Sequence, residues 1–296
     1  MTRPYIASAA DDPWSRIWCD TTPRHLAGAG DPRHVTQALR AGGWKNFGDP
    51  DFPHVVLASP DYRHSLVLEP TPDTYGSWWR ISSQHWHASF GANTPVEIIA
   101  GFTDALLRSP PAAEPDIWPT LQAAGWTYEC DERGNEYARH PDGITAMERS
   151  ATLTSDYFSW KAEVALPTGL GGHHRLWHAY FDDRTPRHLI AGFATALIDA
   201  EPVSRGRYDV PHDHLVAQVE RGAQGEQLAA AHEARLKASR AAARKARRSA
   251  APAPGRRQAR PPRQSRPRPA AADRAERLRP LRTPPLHHNC PPKGPL

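Results

Sequence analysis

Trp86-His-Ala-Ser-Phe-Gly-Ala-Asn-Thr-Pro-Val-Glu-Ile-Ile-Ala-Gly-Phe-Thr-Asp-Ala-Leu-Leu107 recurs, without a gap, as Trp177-His-Ala-Tyr-Phe-Asp-Asp-Arg-Thr-Pro-Arg-His-Leu-Ile-Ala-Gly-Phe-Ala-Thr-Ala-Leu-Ile198. Twelve of the 22 aligned positions are identical, which chance does not produce. Upstream, Val35-Thr-Gln-Ala-Leu-Arg-Ala-Gly-Gly-Trp44 answers Ile117-Trp-Pro-Thr-Leu-Gln-Ala-Ala-Gly-Trp126. The offset is 82 residues at the first Trp and 91 at the second, and Pro167-Thr-Gly-Leu-Gly-Gly172 accounts for the difference as a longer hairpin loop. Two units of about 85–95 residues are too few for a solenoid and fit a duplicated domain.

Each unit reads in the same order. A short helix stops at Gly43 or Gly125, just before the Trp that ends the block. His54-Val-Val-Leu-Ala-Ser59 and His64-Ser-Leu-Val-Leu-Glu69 are strand-like runs divided by a Pro60-Asp61 turn, and Pro141-Asp142-Gly143 marks the second copy's turn. Two more strands follow around 78–82 and 86–90, matched by 158–166 and 176–181. Thr94-Pro95-Val96-Glu97 reads as an N-cap, a Pro at the first helical position and a capping-box Glu. Ile98, Ile99, Phe102, Ala105 and Leu106 lie at helical spacing behind it, and Thr185-Pro186 opens the second copy's helix in the same way. The order α-β-β-β-β-α predicts an α+β fold built twice, each antiparallel meander carrying its helices on one face. The chain then divides into an N-terminal segment (1–22), two units (23–109 and 110–202), a linker (203–222), a basic helix (223–251) and a disordered Pro/Arg-rich extension (252–296).

Strand period 2 sorts residues by face. Trp86, Ala88 and Phe90, with Trp177, Ala179 and Phe181, are expected to meet the helices, as are Trp79 and Trp160. Trp78 answers Ser159 and is placed on the opposite face with His85 and His87. That second face is expected to be covered by the other unit or by a second copy of the chain. The alternative is a ligand surface, where a Trp beside imidazoles suits a planar or anionic ligand. Gly101 and Gly192 sit mid-helix, where Gly costs about 1 kcal/mol against Ala, and mark a close approach by a neighbouring element.

Chemistry is harder to find. His85 and His87 at i, i+2, and His173, His174 and His178, have spacings that metal sites use. However, Leu176 replaces His85 in the second copy, and no fixed Cys, Asp or Glu accompanies either cluster. No metal or other cofactor is assigned. Ser59-Pro60-Asp61 reads as a turn, because neighbours in a turn form no catalytic relay without a positioned base. The chain holds no P-loop, dinucleotide fingerprint, zincin or nucleophile-elbow motif, so no catalytic residue is assigned. A His-dependent metalloenzyme or hydrolase remains a third reading.

The 296 residues carry a formal charge of +5, but unevenly. Residues 1–233 hold 19 Lys and Arg against 30 Asp and Glu, giving −11; residues 234–296 hold 18 against 2, giving +16. No apolar run approaches the ~18–20 residues of a membrane span, and the N-terminus lacks a signal-peptide core. Cys19, Cys130 and Cys290 show no metal spacing, and their odd number suits a reducing cytoplasm. Residues 227–250 favour helix, with a basic stripe of Lys237, Arg240, Arg244 and Arg248, joined by Lys245 and Arg247. These six are the candidate polyanion-binding residues. With almost no large apolar side chain to dock it, this helix is expected to add nothing to the stability of the body. From Pro252 the chain holds 12 of its 31 Pro and cannot build a core.

Ser59-Pro60-Asp61-Tyr62, Gly76-Ser-Trp-Trp-Arg80 and the repeated Trp-His-Ala-x-Phe, Thr-Pro and Ile-Ala-Gly-Phe blocks resemble the actinobacterial SPDY domain, a domain of unknown function (DUF317) found in tandem copies. The resemblance spans about residues 23–200 and implies no activity, ligand or site residue. In the second copy His140-Pro-Asp-Gly143 stands where Ser-Pro-Asp-Tyr is expected. The chain reads as a cytoplasmic, non-enzymatic binding or scaffold module. The runner-up is a nucleic-acid-associated protein anchored through its tail without sequence preference. Partners are expected to be a protein or a second copy on the second sheet face and nucleic acid on the tail, with no membrane.

Overall fold

A computed structural model describes residues 17–49, 51–71, 76–151, 158–169, 171–221 and 225–250. The chain enters through strand β1 (Trp18–Thr22) and builds the first unit from helix α1 (Arg33–Ala41), strands β2 (Lys45–Asn46), β3 (Val55–Ala58), β4 (His64–Leu68), β5 (Ser77–Ser83) and β6 (His87–Gly91), and helix α2 (Val96–Leu106). The second unit repeats the order with α3 (Trp118–Ala123), β7 (Thr127–Cys130), β8 (Glu136–Arg139), β9 (Thr145–Ala151), β10 (Phe158–Pro167), β11 (His173–Phe181) and α4 (Arg187–Leu197). The class is α+β with antiparallel pairing, as the repeat predicts. Each meander has five strands rather than four, because β2 and β7 are polar edge strands without an alternating apolar pattern to reveal them.

Helices α1 and α3 stop in the same way. Gly43 and Gly125 adopt φ of +100° and +87°. The Trp after each donates its backbone N–H five residues back, Trp44 to Leu39 and Trp126 to Leu121, both at 3.1 Å. This Schellman closure uses the left-handed conformation that glycine reaches at little cost, and it drops both Trp side chains into the core.

The two meanders form one sheet. β6 pairs with β11, giving the order β2-β3-β4-β5-β6-β11-β10-β9-β8-β7. Ser89 stands opposite its repeat equivalent Tyr180, flanked by the Phe90–Ala179 and Ala88–Phe181 pairs, so a pseudo-two-fold axis passes through Ser89 and Tyr180. Helices α2 and α4 meet on the same axis. A Cβ added to Gly192 would fall 2.5 Å from the Gly101 carbonyl oxygen, and one added to Gly101 would overlap the Gly192 carbonyl. The close approach expected at these glycines is made by each to the other. Phe90, Phe102, Phe181 and Phe193 interlock around the axis with ring centroids 5.1–5.8 Å apart.

Side chains bridge the units reciprocally. Thr94 Oγ1 donates to the His178 carbonyl (3.2 Å), and Thr185 Oγ1 to the His87 carbonyl (3.3 Å). This replaces the expected capping box: neither α2 nor α4 has a side-chain cap bond, because the extended Pro95 and Pro186 separate each Thr from its helix. The units therefore join edge to edge, which corrects the expectation that one covers the other's second sheet face.

The segments expected as an N-terminal stretch and a linker are also built in. β12 (Val203–Gly206) and β13 (Ala217–Glu220) flank β1 in a three-stranded antiparallel sheet. The buried Arg205 of β12 donates to both carboxylate oxygens of Glu97 (2.8 and 2.6 Å) and to the Ala27 and Gly28 carbonyls. Burial alone would raise the Glu97 carboxyl, but the guanidinium holds it down to about 2.

Helix α5 (Gly225–Ala250) overturns the expectation that the basic helix stays undocked. It lies along α1, with Leu236, Ser239 and Ala243 buried. Arg235 forks onto Asp104 at 3.0 Å through each of two nitrogens, and His232 bonds Gln37 at 2.6 Å. One large apolar side chain, Leu236, with two small ones and these polar bonds, therefore docks the helix. The 252–296 extension lies outside the described residues. No described helix is long and apolar enough to cross a membrane.

Gly101→Ala is expected to cost about 1–3 kcal/mol despite the better helix propensity of Ala, because the added methyl must displace backbone. Urea unfolding measures this, and an unchanged midpoint would show that α2 and α4 are free to separate. Ending the chain at residue 222 should lower the thermal midpoint by roughly 5–15 °C, through lost burial of Leu236 and loss of the Arg235–Asp104 fork. A midpoint equal to that of the full chain would mean that α5 contributes nothing.

Candidate functional site

The structure separates the three residues expected to share the second sheet face. A β-bulge puts Ser77 opposite Gly91 but Trp79 opposite Phe90, leaving Trp78 as the extra residue. A bulge breaks the strand alternation. Trp78 packs against the core and lines a cleft beside Trp79, which corrects its placement on the second face. His85 lies in the hairpin turn rather than on the strand, its N–H directed at Ser83 Oγ (3.2 Å). Of the three, only His87 stands on the second face, its ring 5.4 Å from Tyr180 and its Nδ1 3.1 Å from the Asp182 carboxylate. Around it the face is polar: Ser65 bonds Ser82, Arg80 pairs with Glu69, and Lys161 pairs with Glu163.

The clefts lie on the helix side, one in each unit, at the same place. In the first unit a cleft of about 170 Å³ is walled by Val55, Leu68, Trp79 and Val96, closed by Pro32 and Trp78. In the second a cleft of about 370 Å³ is walled by Glu136, Arg149, Trp160 and Arg187, closed by Trp118 and Tyr128. Strand register makes these sets equivalent. Val55 pairs with Leu68, which pairs with Trp79; Glu136 pairs with Arg149, which pairs with Trp160. Val96 and Arg187 share one position of the 22-residue repeat, and each opens its helix. The Trp is kept while its three neighbours change from apolar to charged.

In the charged cleft Arg149 Nη1 lies 2.8 Å from Glu136 Oε2, and the Tyr128 hydroxyl donates to Glu136 Oε1 at 2.9 Å. That bond to a carboxylate pushes the Tyr128 hydroxyl up to about 12. Trp118 stacks on Trp160 with centroids 5.0 Å apart and planes 23° apart. Asp116 Oδ1 accepts the Trp118 N–H at 3.3 Å, and Arg187 Nε is 3.7 Å from the Glu114 carboxylate. Reading each sequence segment alone misses these charged residues; setting the copies side by side at in-facing positions would reveal them.

The turns before β4 and β9 have also diverged. Ser59 Oγ donates to Asp61 (2.7 Å) and accepts from the His64 N–H (3.0 Å). Tyr62 follows in the left-handed region at φ +59°, with Lys45 donating to its hydroxyl at 2.7 Å. In the second copy Gly143 takes that conformation at φ +73°, where no side chain is strained. Asp142 Oδ2 accepts from the buried His25 (2.7 Å) and from Thr145 Oγ1 (2.9 Å), and its Oδ1 from the Ile144 and Thr145 N–H groups. Burial would raise the Asp142 carboxyl, but the bonds from His25, Ile144 and Thr145 hold it well below the usual carboxylate range. His25, His140 and Asp142 hold their ligand atoms within 4.8 Å of one another and are the described residues that could hold a metal ion. The His25–Asp142 bond also ties the segment before α1 to this turn.

Residues 58–112 and 139–203 match the SPDY domain, a domain of unknown function (DUF317). The chain carries two SPDY domains. No curated protein and no solved structure matches it significantly. Each matched SPDY segment begins one residue before the turn and runs through the closing helix. The SPDY domains thus supply Leu68, Trp79 and Val96 to one cleft and Arg149, Trp160 and Arg187 to the other. The opposite walls, from α1 and α3, lie outside the matched segments. Beyond the SPDY domains, α5 leaves Lys237, Arg240, Arg244, Lys245 and Arg248 exposed, while Arg247 also donates to the Gly42 carbonyl (2.9 Å).

Proposed function

We propose that the protein is a non-enzymatic binding module in which two SPDY domains carry equivalent clefts, the second of which takes a small ligand. The observation behind this reading is that the clefts share one place in the repeat and one Trp wall yet differ in size and charge. At about 370 Å³ the second falls within the usual range of small-molecule sites, and the first falls below it. The chemistry favours binding over proton transfer. Glu136 is held by two donors, and a hydroxyl pushed up to about 12 is a poor acid near neutral pH. Gln122, an exposed residue on the rim, offers the test. Small fragments of varied charge that raise the thermal midpoint of the full chain should lose that effect in Gln122→Trp, which fills the cleft. Fragments that stabilise both proteins equally would move the site elsewhere.

A second reading rests on α5. Docking consumes one face of this helix, and the basic stripe beside it remains exposed, which suits attachment to nucleic acid or another polyanion. Such binding should weaken steeply with salt, with a log–log slope of about −0.9 per neutralised phosphate. Changing Lys237, Arg240, Arg244 and Arg248 to Gln should reduce the slope by up to about four units for every DNA sequence alike. An unchanged slope, or preference for one sequence that survives these changes, would assign DNA binding to another surface.

A further inference from the structure

We infer that the charged cleft of the second SPDY domain binds a small zwitterion of the amino-acid class. This rests on the reading of that cleft as a ligand site and goes further by naming the ligand's chemistry.

Four charged side chains line the cleft, two of each sign: Asp116, Glu136, Arg149 and Arg187. They are not equally committed. Glu136 accepts from both Tyr128 and Arg149 at hydrogen-bond distance, which makes this group a fixed wall. Asp116 and Arg187 are held more loosely. The Arg187 pair with Glu114 is 3.7 Å long between two well-exposed side chains, a geometry that contributes little in water. Asp116 accepts one long bond, 3.3 Å, from a backbone N–H. One carboxylate and one guanidinium lining the same cleft are therefore available to exchange weak partners for a ligand's ammonium and carboxylate. A guanidinium suits a carboxylate because its N–H groups match both oxygens.

Charge balance selects a zwitterion over a simple ion. With two cations and two anions around the cleft, a lone anion satisfies Arg187 but faces Asp116 and Glu136 with like charge, and a lone cation meets the reverse problem. A molecule carrying both groups leaves neither side uncompensated. Trp118 and Trp160 stack on each other and are nearly buried, so the open lining of the cleft is mainly polar and the ligand's two charged groups carry the contact. The volume, about 370 Å³, admits one such molecule.

The first SPDY domain supplies a fold-compatible control. It holds Val55, Leu68 and Val96 where the second holds Glu136, Arg149 and Arg187, so the triple change Glu136→Val, Arg149→Leu and Arg187→Val imports a lining that this fold already accepts.

L-phenylalanine, phenethylamine (no carboxylate) and 3-phenylpropionate (no ammonium) are titrated into the full chain by calorimetry, at concentrations up to millimolar. Phenylalanine should bind, and each one-charge analogue should bind at least about tenfold more weakly, a difference of about 1.4 kcal/mol. The triple variant should keep a cooperative thermal transition and lose phenylalanine binding, and Arg187→Gln alone should weaken phenylalanine more than phenethylamine. If an analogue binds as well as phenylalanine in the wild type but not in the triple variant, the zwitterion is overturned and the cleft stands as a ligand site. Equal phenylalanine binding by wild type and triple variant, or no binding of any of the three, overturns the inference. The fragment test with Gln122→Trp then decides separately whether the cleft binds anything.

Discussion

The backbone contact between Gly101 and Gly192 sets the distance between the two units, and the other long-range features depend on it. With any side chain at either position, α2 and α4 would stand further apart. β6 and β11 lie beneath these helices and pair only if the helices above them can close to the same spacing. The four phenylalanines that fill the layer between helices and strands come in equivalent pairs, so one spacing serves both halves. Mid-helix glycine costs about 1 kcal/mol each in propensity, and burial of such aromatic area more than offsets this. The contact also positions the clefts, because the first residues of α2 and α4 are Val96 and Arg187, one in each cleft wall.

The features legible from sequence were those on which the two copies agree. Identity between them located both units, the Gly43 and Gly125 helix stops, the core face of Trp79, Trp86 and Phe90, and the glycine contact. What escaped had a physical reason in each case. Trp78 was sorted by strict alternation, and one extra residue in β5 is enough to turn it to the other side. Thr94 has the sequence of a cap, but its hydroxyl finds a carbonyl on the other unit instead. Pairing of β6 with β11 leaves no periodic trace, because ladder bonds are made by backbone. β12 and β13 are four residues each, too short for a pattern, and a buried Arg205 sits in one of them. The charged cleft was illegible for the opposite reason. Its residues are scattered from Asp116 to Arg187, and only disagreement between the copies marks them.

Helix α5 shows how the charge partition of the chain works locally. Residues 1–233 carry −11 and residues 234–296 carry +16. Within the described part of the basic segment, Arg235 pairs with Asp104, and Arg247 donates to a carbonyl at the end of α1. The helix is bound by the complementary charge of the body and by a stripe of Leu236, Ser239 and Ala243. Residues that face outward, Lys237, Arg240, Arg244 and Arg248, then lie on a rigid rod rather than a loose chain. A fixed array of charges loses less conformational entropy than a flexible one when it meets a polyanion.

The difference between the clefts is hard to explain as a stability device. The first SPDY domain shows that Val, Leu and Val fit around the shared Trp and leave a small apolar space. Replacing a partly buried ion pair with apolar residues of similar volume is commonly neutral or stabilising. The Glu136 and Arg149 side chains are 18% and 25% exposed, so the pair has lost much of its hydration. Around Trp160 the second domain therefore holds a more expensive lining and a larger space than the fold requires. A cost of this kind, confined to the residues that face one cleft, supports the proposal that this cleft takes a ligand.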